Sequence, residues 1–174
     1  DIVVRSDEIL FFTDPPYGIK PEEQEQPFQG VFHLNPDSRE PTLLSDDFDR
    51  PNGLAFSLDE TMLYIADSSA RRHVRVFDVN DDGTLSNSRV FAEIRSELPG
   101  NPDGVKANVE GDLFVSAAGG IWVFSEEAKL LGVIRTPEIP ANCAWGDEDW
   151  KSLFITARTS LYRVRLSIAG IKVP

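Results

Sequence analysis

Three short segments carry oxygen-bearing side chains at one repeating position: Pro51-Asn52-Gly53-Leu54, Pro102-Asp103-Gly104-Val105 and Ala141-Asn142-Cys143-Ala144. Each stands just ahead of a short apolar run. Two asparagines and an aspartate in phase offer only amide and carboxylate groups, because neither His33 nor His73 falls at that phase. Hard oxygen donors of this kind suit Ca²⁺, or less well Mg²⁺ or Mn²⁺, and argue against zinc or copper. Pro-Asn-Gly and Pro-Asp-Gly are also ordinary turn tripeptides, in which Asn or Asp simply caps the entrance to a strand. Recurrence at one phase favours the ligand reading, because turn chemistry does not require it.

The elements that would hold these residues are strands. The apolar residues come in short runs, among them Leu63-Tyr64-Ile65, Leu113-Phe114-Val115, Ile121 to Phe124 and Leu153-Phe154-Ile155. These runs are rich in β-branched and aromatic residues and are bounded by Gly, Pro, Asp and Asn. The pattern repeats. Asp1 to Asp14, Asn52 to Asp67, Asp103 to Ala117 and Asn142 to Ala157 each read as a short strand, an acidic turn and a more apolar strand. Third strands follow at Gly30–Leu34, Val74–Asp78, Gly120–Phe124 and Leu161–Val164, and fourth strands around Thr42–Leu44, Arg89–Phe91 and Leu130–Ile134. About four strands recurring every 40 to 50 residues or so is the unit of a β-propeller blade. The expected fold is all-β, with about four propeller blades, the first strand of each lining a central tunnel. In-phase residues then form a ring around the axis, to which the position before Asp1 would also belong.

Composition narrows the partners. The 174 residues carry 17 Lys and Arg against 29 Asp and Glu, a net charge of -12. Such a field repels phosphate backbones and anionic lipid, so neither nucleic acid nor a membrane surface is an expected partner. No apolar run reaches the roughly 20 residues of a membrane helix. Cys143 stands alone and cannot form an internal disulfide.

Arg50 to Ser57, Tyr64 to Ser68, Pro102-Asp103-Gly104 and Asn142 to Gly146 resemble the gluconolactonase and senescence-marker-protein (regucalcin) family. So do Phe12 to Pro15 with Tyr17-Gly18, and Ile155 to Arg163. The resemblance extends over essentially the whole chain and is strongest to bacterial gluconolactonase-like members. It implies a six-bladed propeller with a catalytic divalent ion in the tunnel, usually Ca²⁺, with Mg²⁺, Mn²⁺ or Zn²⁺ as alternatives. It implies hydrolysis of a sugar lactone, with phosphotriester hydrolysis on the same site as the neighbouring chemistry. Asn52 and Asp103 match the family's metal ligands, and Asp103 also matches the residue that acts as general base or nucleophile. Asp1 matches the second residue of an Asn-Asp pair, and Asp1, Tyr17 and Asn142 are the expected substrate contacts. Residues 1–174 then form a single partial propeller, the C-terminal blades of a longer chain whose missing blades, or a partner chain, would cover its open edges. A cytoplasmic location is expected, with a periplasmic or secreted one as the alternative.

Plainer readings stand beside several of these. Tyr17 follows Pro15-Pro16 and can equally serve packing, and Asn142 can cap its strand. Asp14 and Asp67 end second strands and read as turn formers. Asp81-Asp82-Gly83 reads as a hairpin turn, lacking the length and distal glutamate of an EF-hand. Cys143 reads as a buried thiol, and Glu22 to Gln26 as a solvated loop. A non-catalytic propeller scaffold is the rival from another class. It predicts no ion and a large exposed aromatic patch.

Overall fold

The computed structural model describes residues 1–38 and 40–172. It contains four antiparallel sheets, each built from consecutive strands. The first comprises β1 (Ile2–Val4), β2 (Leu10–Asp14), β3 (Gln29–Leu34) and β4 (Pro41–Phe48), and the second β5 (Pro51–Phe56), β6 (Met62–Asp67), β7 (His73–Val79) and β8 (Leu85–Glu93). The third holds β9 (Val105–Ala107), β10 (Leu113–Ala117), β11 (Gly120–Phe124) and β12 (Leu130–Arg135), and the last β13 (Pro140–Gly146), β14 (Ser152–Ala157) and β15 (Leu161–Arg165). This is the four-blade propeller arrangement expected from the repeat, with three strands described in the fourth blade.

The unbroken apolar runs have a physical reason. A strand covered on both faces has no polar side to present. In β6, Leu63 and Ile65 join Phe11, Val31, Phe48 and Phe77 between the first and second blades. Tyr64 and Ala66, pointing the other way, join Val105, Leu113, Val115 and Trp122 between the second and third. The alternation repeats in β10, whose Phe114 faces Cys143, Trp145, Leu153 and Ile155 of the fourth blade. Face-to-face packing of every blade on the next distinguishes a propeller from a two-sheet sandwich.

The acidic turns after the inner strands are tight. Glu8, Glu60 and Gly111 take left-handed φ values of 70°, 58° and 86°, and Asp59 Oδ1 accepts the Thr61 amide at 3.2 Å. Two strand expectations shift at their edges. Asp1 and Asp103 lie outside the ladders of β1 and β9, and the Glu22 to Gln26 loop begins in a 3₁₀ turn, Pro21–Glu23.

Hydroxyl groups staple each blade to the next. Thr13 Oγ1 donates to the Asn52 carbonyl at 2.7 Å, Ser68 Oγ to the Pro102 carbonyl, and Ser116 Oγ to the Ala141 carbonyl at 2.6 Å. Thr13 and Ser116 occupy the same position of their second strands. In β6 that position is Ala66, which has no hydroxyl, and Ser68 supplies the bond from two residues further on.

Candidate functional site

Asn52 sits where the β5–β6 ladder slips between Pro51 and Leu54. The irregularity leaves the amide of Gly53 outside the ladder, free to donate across the seam to the Asp103 carbonyl at 3.0 Å. The next seam repeats the device, with Gly104 donating to the Ala141 carbonyl at 2.9 Å. Beside it, β13 slips between Pro140 and Asn142. The candidate residues are therefore held by main-chain bonds between blades.

Asp67 anchors the approach to Asn52. Its fully buried carboxylate accepts the amides of Asp49, Arg50 and Ser69 at 3.2, 3.3 and 2.9 Å. Burial alone would raise its pKa, but the bonds from Ser69 and Asp49, with His73 nearby, bring it below the usual carboxylate range. Asp67 forms a turn as its sequence position suggests, and that turn delivers Asn52.

Asn52 and Asp103 come together from adjacent blades. Burial pushes the Asp103 carboxyl up to about 6, against the opposing effect of the nearby Asn52 side chain. Asn52 Nδ2 donates to Ser68 Oγ at 2.9 Å. Among the described residues no hydrogen bond uses Asn52 Oδ1.

Asp1 and Asn142 meet across the sheets, Nδ2 of Asn142 donating to Asp1 Oδ2 at 3.2 Å. The other end of that amide is committed to its own strand, since Oδ1 accepts the Cys143 amide at 2.8 Å. Tyr17 stays apart. It is half exposed in the turn after β2 and is not among the residues lining the adjacent cleft of about 300 Å³ between Asp14–Pro16 and Glu23–Gln29.

Two residues were not singled out from sequence. Ser68 is buried and touches both Asn52 and Pro102. Lys106, in the inner strand β9, donates from Nζ to the Val105 carbonyl at 2.9 Å and enters no ion pair among the described residues. Burial lowers its pKa. A lone charged residue inside an inner strand was the available signal. Next to it, burial pushes the Cys143 thiol up to about 12, with the Lys106 charge opposing, so this cysteine is the inert buried thiol expected.

The donor set fits a hard cation. An uncommitted amide oxygen and a desolvated carboxylate are oxygen ligands of the kind such an ion takes. Asn52 and Asp103 are the residues that could hold it, and no group of three or more His, Cys, Asp or Glu comes together among the described residues.

The model of the SMP-30/gluconolactonase/LRE-like region matches residues 1–159. The chain belongs to this family. A gluconolactonase of Zymomonas mobilis subsp. mobilis is 36% identical over 98% of the chain, which spans 51% of that relative. Regucalcin of Danio rerio is 33% identical over 61% of the chain, spanning 37% of the relative. The solved structure of a gluconolactonase from Xanthomonas campestris superposes with a TM-score of 0.85 at 34% identity, covering 98% of this chain and 56% of that one. The chain thus spans between 37% and 56% of the length of the family members compared. Its propeller architecture is shared with them, and no helix among the described residues is long and apolar enough to cross a membrane.

Proposed function

We propose that the protein hydrolyses a sugar lactone with the help of a divalent cation, Ca²⁺ by preference, held by Asn52 Oδ1 and the Asp103 carboxylate. The observation that carries this reading is the convergence of those two groups from adjacent blades, one uncommitted and the other desolvated. Membership of a family that includes gluconolactonases, with a regucalcin among the relatives, supports the substrate class and the ion.

The cation, when bound, supplies positive charge to the lactone carbonyl and lowers the proton affinity of Asp103. The Asp103 carboxylate accepts a proton from water as the water oxygen bonds to the carbonyl carbon. The ring C–O bond then breaks, and the departing alkoxide takes the proton, leaving a hydroxy acid. With the ion bound the carboxylate stays ionised, which makes it available but a weak base. Asp1 and Asn142 would meet the sugar hydroxyls, and Tyr17 would act from the rim.

The test is lactone hydrolysis by the full-length protein with and without chelator, beside Asp103→Ala. Loss of activity in both arms is expected, and activity that survives both overturns the reading.

A further inference from the structure

We infer that Ser68 is a positioning residue for the proposed cation site, orienting the Asn52 amide so that Oδ1 faces the ion. The inference rests on the metal reading above and deepens it.

The orientation follows from donor and acceptor logic. The Pro102 carbonyl can only accept, so the single hydroxyl hydrogen of Ser68 must go to it. Ser68 Oγ is then left with lone pairs alone for its second neighbour. The Asn52 amide can meet those lone pairs only with its NH₂ group, and Nδ2 stands 2.9 Å away. With its NH₂ group held there, Oδ1 is turned away from Ser68. A flipped amide would set Oδ1 against the Ser68 oxygen, lone pair to lone pair.

Ser68 acts on both proposed ligands at once. Its acceptor side fixes the Asn52 side chain, and its donor side fixes the carbonyl of the residue preceding Asp103. It is 4% exposed and follows Asp67, whose three main-chain bonds hold the loop into Asn52, so the hydroxyl sits on a rigid support. Groups behind a ligand that set its orientation commonly change metal affinity about 10- to 100-fold when removed.

The experiment is calorimetric titration of the full-length, chelator-stripped protein with Ca²⁺ in the absence of substrate. Ser68→Ala and the near-isosteric Ser68→Cys are compared with wild type and Asn52→Ala, and Ser68→Ala is repeated in the Asn52→Ala background. The expected result is a loss of Ca²⁺ affinity of about 10-fold in each Ser68 variant, with no further loss when Asn52 is already alanine. The Cys variant preserves volume and keeps the test valid if the Ala variant folds poorly. Wild-type affinity in both Ser68 variants, or an equal loss with and without the Asn52 side chain, overturns the inference while leaving the metal reading intact. Absence of Ca²⁺ binding by wild type overturns both.

Discussion

A Cβ placed on Gly104 would stand 2.1 Å from Oδ1 of Asn142 and 2.7 Å from its Cα. The inner strands of the third and fourth blades approach each other backbone to backbone, and only a residue without a side chain fits between them. Gly104→Ala should therefore cost about 1–3 kcal/mol through overpacking. Gly132→Ala, where nothing lies within 4 Å, should stay within about 0.5 kcal/mol of wild type. Urea unfolding of the two variants checks the contrast, and equal stability would contradict the close approach.

Asp103 makes the metal-free protein sensitive to pH in an unusual direction. Its folded pKa of about 6 lies above the ordinary carboxylate value, so between roughly pH 4 and 6 the folded state binds more protons than the unfolded one. Its contribution to stability is present below that window and is lost as pH rises through it. Asp103→Asn, measured in chelator, should be more stable than wild type above pH 6, and the difference should shrink towards pH 4. A difference independent of pH would show that the carboxyl is not desolvated.

Asp67 should behave in the opposite sense. Its folded pKa is depressed, so its contribution is present above pH 4 or so and lost as pH falls through the folded value. Asp67→Ala strands the amides of Asp49, Arg50 and Ser69 and should cost about 2–4 kcal/mol at neutral pH. Chemical denaturation across pH 3 to 7 or so measures both the loss and its fading in acid.

Lys106 has a different signature. A desolvated ammonium without a carboxylate partner among the described residues is a cost to folding, so Lys106→Met should stabilise by about 1 kcal/mol at neutral pH. The folded pKa of Lys106 lies below the ordinary lysine value. Wild type should therefore gain on the variant as pH rises towards about 10. Thermal unfolding at pH 7 and 9.5 or so reads the change, and a destabilised Met variant would point to a partner for the ammonium.

Much of the fold was legible because its physics is local or periodic. Leu63-Tyr64-Ile65 reads as a strand with two covered faces, and Asp59 reads as a tight acidic turn. The ring positions were legible for the same reason, since Asn52 and Asp103 recur at one phase. What the chain alone concealed depends on relations between blades. The hydroxyl of Ser68 matters because Ala66, at the usual staple position, lacks one, and because Pro102 belongs to the next blade. The slips that free the Gly53 amide and set Asn142 apart from its ladder leave no mark in residue type. Lys106 could be read as a charge on a strand, but its enclosure comes from the blade packed alongside.

The staples that join the blades end on carbonyl oxygens, those of Asn52, Pro102 and Ala141, and the seam bonds from Gly53 and Gly104 join backbone to backbone. A carbonyl is the same whatever side chain the residue carries. Apart from Gly53 and Gly104, which have no room for a side chain, the residues at these seams can therefore be exchanged by mutation without removing the acceptor that fastens one blade to the next. Ligand specificity in this architecture can evolve largely apart from the scaffold that presents it.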